Sequence, residues 1–377
     1  LVMVLPTAAI VALIGAGVAA LSLPHNSDSM TYHLTRVAYF LQHGSLAHYD
    51  ANYWAQVTHP RNSAILLAYT YIATSGNLSA TQFVQYVAHL FAACSILGIS
   101  RLAGAARIPA FLAALIFPLL PIVFTEATST QNDVVITAWL AAFLFSVLHF
   151  GRTGAGVWLA VAGACFGLAA GTKESFALAL PSCALVTLAA LAVRNIGIAD
   201  GRPGQAVSGT VRDGALLVGF AAVGFVVLAL PSGYAGNLFH YGHPLGPPMV
   251  VSAHAFSGLG FREVVSTALA NAARFVIEFS NLDGLQGLRI FEFLSDRLRD
   301  GLHSVFAAAG LAVDDAPSRV SDPVGAEQVW MHPISHEDFS YFGIWGIGVM
   351  GPVLAAGLVR RQRGVYFLTF VGASVVF

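Results

Sequence analysis

Charge is scarce in this sequence. Of 377 residues only 10% are Asp, Glu, Lys or Arg, against roughly 25% in an average soluble domain. Hydrophobic residues make up 56% and the mean hydropathy is +0.72. That excludes intrinsic disorder, which needs low hydrophobicity and high net charge. The net charge of −1 also excludes a basic nucleic-acid-binding surface. Cysteine is nearly absent: Cys94, Cys165 and Cys183 all lie in apolar runs without ligand spacing, so neither a disulfide framework nor a zinc site is expected. Lysine occurs once, at Lys173. The histidines form no HExxH or other metal-binding spacing. No period of 20–50 residues recurs, which excludes a repeat architecture.

Long apolar runs are what the sequence does have. Leu1 to Leu23 is uncharged and ends at Pro24. It has neither an initiator Met nor a basic leader, so the chain is expected to begin inside a longer gene product rather than at a secretory signal. Further runs lie near 81–100, 109–125, 134–150, 155–172, 175–193, 214–231 and 342–359, and another begins near Val365. The expected fold is an all-α polytopic membrane protein of about nine transmembrane helices, each near the 17–25 residues that a bilayer requires. Residues 1–231 form a transmembrane module whose first outer loop is 24–80. Residues 232–341 form a long, largely helical outer segment, and 342–377 are C-terminal membrane helices.

Arginine orients these spans. Arg101, Arg107, Arg152, Arg194, Arg202, Arg212, Arg360, Arg361 and Arg363 fall in alternate loops, which the positive-inside rule makes cytoplasmic. Residues 62–75 are too short and polar to cross and are expected to lie at the interface. A second amphipathic helix is expected over 29–43, with Leu34, Val37, Ala38 and Leu41 on one face. Helical periodicity returns around 264–279 and 285–298, followed by a polar loop at 312–340. On this topology seventeen of the nineteen acids are outer, Asp200 and Asp213 being the exceptions. A transporter or flippase should carry ionisable groups at mid-depth in its helices. The one-sided charge points instead to chemistry at the outer face of the membrane.

Four outer clusters carry that charge. The first runs from Pro24 through Asp28 and Tyr32 to His33; a carboxylate beside the membrane is partly desolvated and so a better base, or else Asp28 caps the following helix. The second is the turn Glu126 to Asp133, with Gln131 and Asn132; it suits a hydroxylated ligand or a divalent cation through oxygen ligands, or else its polar groups are caps and solvated ends. The third is Gly171-Thr172-Lys173-Glu174-Ser175. A lone lysine here is disfavoured by the positive-inside rule and suits a phosphate, the alternatives being a snorkelling side chain or a local pair with Glu174. The fourth, His336 to Tyr341, offers Glu337 and Asp338 as minor candidates. Arg36 and Arg61 are further phosphate candidates.

In their order along the chain these clusters resemble the GT-C superfamily of membrane glycosyltransferases, most of all the bacterial branch related to protein O-mannosyltransferases and aminoarabinose transferases. Asp28 and Tyr32 match the ends of that family's Asp-Glu-x-Arg-Tyr motif, although Ser29 and Thr31 replace its Glu and Arg. Glu126 to Asp133 matches its second acidic loop, and Gly167-Leu168 through Thr172-Lys173 matches its Gly-Leu-x-x-x-Thr-Lys pattern. The resemblance covers the chain to about residue 193. It implies inverting sugar transfer from a polyprenyl-phosphate donor to a hydroxyl of a lipid, glycan or protein acceptor, on the outer face of the plasma (inner) membrane. Asp28 would be the base, and Lys173 with Arg36 or Arg61 would hold the donor phosphate. Glu126, Gln131, Asp133, Tyr32 and His33 would orient sugar or acceptor, or hold a cation such as Mg or Mn. The rival readings are a lipid-linked-oligosaccharide flippase and an O-antigen polymerase or ligase.

Overall fold

The computed structural model describes residues 4–253, 260–280 and 289–311, together with positions 313 and 342. Among these residues every regular element is helical. Two compact units divide them, one formed by 1–118 and 126–247, the other by 119–125 and the chain from 248.

The first unit opens with α1 (Val4–Leu21). Pro24 follows, a residue that cannot donate to a helix ladder. A single π turn, Ser29–His33, leads into α2 (Leu34–His43), which ends at Gly44 in the left-handed conformation. Two short helices follow, α3 (Ala55–Thr58) and α4 (Asn62–Ala73). The helices α5 (Phe83–Leu102), α6 (Arg107–Leu119) and α7 (Pro121–Ala127) come next. Then come α8 (Asp133–Thr153), α9 (Val157–Ala170), α10 (Phe176–Ile198), α11 (Pro203–Gly224) and α12 (Tyr234–Tyr241). The second unit takes α7 as far as Thr125 and holds α13 (Pro248–Ala253), α14 (Phe261–Ser280) and α15 (Arg289–Ala308). There Ala273 and Ile277 of α14 pack with Leu302 and Phe306 of α15.

Four helical stretches are long and apolar enough to cross a membrane: Ser79–Leu102, Asp133–Thr153, Phe176–Ile198 and Pro203–Ser232. A fifth is obtained if Arg107–Leu119 and Pro121–Ala127, broken at the proline, count as one span. All five coincide with runs expected from the sequence. Two other expected spans form shorter helices. The apolar part of α1 is Ala9–Leu21, and α9 has 14 residues rather than the expected run of 155–172, because turns at Gly156 and at Gly171-Thr172 clip it at both ends. The expected spans at 342–359 and from Val365 lie outside the described residues, as does most of the polar loop 312–340. Of the expected interfacial stretch 62–75, Asn62–Ala73 forms a helix, too short to cross.

The buried face of α2 differs from the expected one. Leu34, Arg36, Val37 and Phe40 are buried, whereas Ala38 and Leu41 are exposed. Phe40 is the reason: with Val37 it packs on Ala64, Leu67 and Ala68 of α4, burying more apolar surface than Ala38 and Leu41 can.

Packing in the first unit centres on α8, α9 and α10, where Phe143, Val147, Leu159, Ala162 and Leu191 form the main core. Helix α9 meets α11 backbone to backbone. A Cβ on Gly163 would strike the Phe220 carbonyl, and one on Gly167 would strike that of Gly224. Gly163 and Gly167 are a small-xxx-small pair, which allows close helix approach where lipid supplies no hydrophobic drive. Gly167→Val is therefore expected to cost about 1–3 kcal/mol, read as a lower thermal midpoint in detergent. Gly197→Ala, on an open stretch of α10, serves as the neutral control.

Basic groups gather at one end of these helices. Arg152 Nη2 donates to Leu102 O (2.6 Å), Arg194 lies 4.9 Å over the Phe150 ring, and buried Asp213 accepts from Asn195 (3.1 Å) and Arg212 (2.9 Å). Helix α8 alone, at 21 residues, separates this end from Asp133 by about 30 Å.

Candidate functional site

At the opposite end, three loops far apart in sequence meet. Thr130 N donates to Ser29 Oγ (3.2 Å), tying the second loop to the first. Asn132 Nδ2 donates to Thr172 O (2.9 Å), tying the second to the third. Asn62 N donates to Gly171 O (3.0 Å), which closes the ring. The Gln131 amide, with its nitrogen toward Glu126, donates to both carboxylate oxygens (2.9 and 3.0 Å), and its oxygen accepts from Asn26 Nδ2 (2.9 Å). The clusters around Asp28, Glu126–Asp133 and Lys173 thus form one site. Glu337 and Asp338 lie outside the described residues.

Capping explains little of the acidic chemistry. Asn26 Oδ1 accepts from Ser29 N (2.7 Å), so Asn26 caps the π turn, while Asp28 makes no cap bond. The Asp28 carboxylate instead accepts from Tyr32 Oη (2.8 Å). A similar substitution occurs at α8. Gln85 of α5 is fully buried, and its Oε1 accepts from Val134 N (2.9 Å) and Val135 N (3.1 Å). Its Nε2 donates to Glu126 O (3.1 Å). Gln85 thereby satisfies first-turn N–H groups that a capping side chain would otherwise serve. That leaves Asp133 free to pair with Lys173 (2.6 Å). Gln85 escapes sequence reading because it sits in an apolar run, and an isolated amide there carries no spacing signal.

Lys173 does not pair with its neighbour. Glu174 binds His59 Nδ1 instead, so consecutive residues engage two different loops. Burial pulls the Lys173 ammonium down, but Asp133, then Glu126 and Glu174, outweigh it and hold the group above the usual lysine value. Burial pushes Glu174 up, but the hydrogen bond and charge of His59 outweigh it and hold the carboxyl below its usual range. Burial, then Asp28, raises the Tyr32 phenol, so Tyr32 stays protonated. His33 is buried; burial first, then Arg36, Lys173 and His59, lowers its imidazole far below the usual value and keeps it neutral. The Tyr32 ring stands 4.1 Å from His33 and 5.4 Å from His59.

Two of the arginines lie elsewhere. Arg36 is 2% exposed, with Nε donating to Gln56 O (2.6 Å), Nη1 to Pro60 O (3.0 Å) and Nη2 to Ala55 O (2.7 Å). Burial brings its guanidinium down to about 10. Arg36 thus pins the strap 55–60 that carries His59, and its donors face backbone carbonyls instead of a ligand. Arg61 donates to Leu46 O and lies with His48 and Tyr49 against Phe40.

Five buried polar atoms of these loops lack a protein partner among the described residues: His33 Nε2, Ser63 Oγ, Thr130 Oγ1, Asn132 Oδ1 and Glu174 Oε2. Such atoms are uncommon in folded proteins and call for a ligand or water. Among the described residues no three His, Cys, Asp or Glu side chains group as a metal would require. An apolar cavity of about 330 Å³ lies nearby, lined by residues of α1, α5 and α6 that include Val11, His89, Ala93, Leu97 and Leu115. His89 stands one helical turn along α5 from Gln85. Comparison of the chain with family models, with curated proteins and with solved structures gave no match.

Proposed function

We propose that this chain is a membrane glycosyltransferase that moves a sugar from a polyprenyl-phosphate donor to an acceptor hydroxyl on the outer face of the plasma membrane, with inversion. The observation that supports it best is the convergence of Asp28, Glu126, Asp133 and Lys173 from three loops into one partly buried site. Those are the positions that the resemblance to the GT-C superfamily assigns to catalysis and donor binding. In this reading Asp28 takes the acceptor proton as the hydroxyl attacks the anomeric carbon. Lys173 meets the departing phosphate charge. Glu126, Gln131 and Asp133 hold sugar hydroxyls, which would also satisfy Asn132 Oδ1 and Thr130 Oγ1. No step is assigned to a metal.

The apolar cavity between α1, α5 and α6 takes the first isoprene units of the donor tail. Each buried methylene is worth about 0.8 kcal/mol. Ala93→Trp, which narrows the cavity, should therefore weaken a long-chain donor roughly tenfold if about two methylenes are displaced. A donor with a tail too short to reach the cavity should be unaffected. Equal loss for both donors would place the tail elsewhere.

The function is tested by comparing surface glycans and glycolipids by mass spectrometry with and without the gene, followed by transfer assays in reconstituted vesicles. Loss of one defined sugar from one acceptor is the expected result. An unchanged glycan profile, together with no turnover on any polyprenyl-phosphate sugar, would overturn it.

A further inference from the structure

The His59–Glu174 pair has no role in the chemistry assigned so far, although it stands inside the site. Glu174 follows Lys173 directly, so the carboxylate is carried by the turn that carries the phosphate cation. His59 is presented by the strap 55–60, fixed from below by Arg36. It precedes Pro60 and takes the extended backbone (φ −62°, ψ 148°) that a following proline enforces. Its ring is held on two further sides, 5.4 Å from Tyr32 and 5.2 Å from Trp54, the latter edge-on. An imidazole bound at Nδ1 by a carboxylate is fixed in orientation and tautomer, and Nε2 remains for a ligand. Asp28 meets the hydroxyl end of Tyr32, and His59 meets its ring. Two groups able to carry a proton therefore stand around one phenol, one on the first loop alone and the other tied to the lysine turn.

We propose that His59, oriented by Glu174, is the general acid of the transfer and protonates the phosphate oxygen that leaves the sugar. This rests on the glycosyltransferase reading. The acceptor oxygen forms its bond to the anomeric carbon and gives its proton to Asp28. The bond from that carbon to the phosphate oxygen breaks, its electron pair stays on the oxygen, and that oxygen takes the Nε2 proton of His59. One proton has then passed, in balance, from acceptor to departing lipid phosphate. Exchange with water returns the proton to His59 and removes the one on Asp28. Glu174 stays ionised throughout and is a positioning residue.

An acid matters most when the leaving group is poor, and this gives a readout that a structural role would not move. Purified protein in vesicles is assayed with two donors bearing the same sugar and tail. One is linked through a monophosphate and the other through a diphosphate, the better leaving group. His59→Gln is expected to lower kcat roughly 10²-fold on the monophosphate donor, the size of a lost acid–base contribution, and at least tenfold less than that on the diphosphate donor. Glu174→Gln should show the same asymmetry at smaller size. Asp28→Asn should lose equally on both. Equal loss on both donors with His59→Gln, or none, overturns the proposal. If His59→Gln does not fold, the asymmetry of Glu174→Gln decides alone. Failure of the wild-type chain to turn over either donor would instead defeat the underlying reading.

Discussion

Asp28→Asn is expected to lower sugar transfer by roughly 10²–10⁴-fold, the range for loss of a positioned general base, without unfolding the protein. The geometry makes this substitution clean. Asn26 caps the π turn, so Asp28 contributes no cap that asparagine would lose. The amide oxygen of asparagine can still accept from Tyr32 Oη, as the carboxylate does now at 2.8 Å. What disappears is the negative charge and, with it, the capacity to bind a proton. The measurement is kcat in vesicles beside a thermal midpoint in detergent. Full turnover by a well-folded Asp28→Asn protein would sink the base assignment, while loss of the fold would show that Asp28 serves structure.

The second large effect is expected at Lys173. Lys173→Ala should weaken donor binding by about 10- to 100-fold, the worth of one charge-assisted hydrogen bond of roughly 1.5–3 kcal/mol. Stability should change far less. The side chains of Lys173 and Asp133 are 27% and 43% exposed, and ion pairs open to solvent contribute at most about 1 kcal/mol. Asp133 competes with phosphate for the same ammonium. Asp133→Asn releases the ammonium while its amide can still bond a sugar hydroxyl, so that variant alone should hold or tighten donor affinity. Binding of a fluorescent polyprenyl-phosphate analogue to the two single variants and the double variant measures this. A Lys173→Ala protein with unchanged affinity would remove the phosphate role.

Much of this arrangement was legible in the sequence because a few strong signals were available. Apolar runs of span length located α5, α8, α10 and the α11 region. The single lysine and the two acidic turns marked three loops that the fold does bring together. Other features were hidden for definite physical reasons. Aliphatic spacing alone misplaces the register of α2, because the larger Phe40 decides which face is buried. Arg36 looked like a phosphate ligand because a lone arginine on an amphipathic helix carries no sign of which carbonyls will surround it. Gln85 and His59 gave no signal of their own, since each acquires its partners only from distant loops. The 14 residues of α9 could not be anticipated, because the apolar run continues past the glycines that clip it.

That short helix has a consequence for depth. Fourteen residues rise about 21 Å, while the hydrocarbon layer is roughly 30 Å thick. If α9 is a span, its ends stop short of the headgroups, or the bilayer thins around it. Lys173 and Glu174, three and four residues past its last turn, would then sit recessed beneath the membrane surface. A lipid-linked phosphate would reach them by sinking a few ångströms inward rather than by rising out of its leaflet. On this view membrane thickness sets how easily a lipid-linked phosphate reaches Lys173, and vesicles of shorter-chain lipids should raise donor affinity.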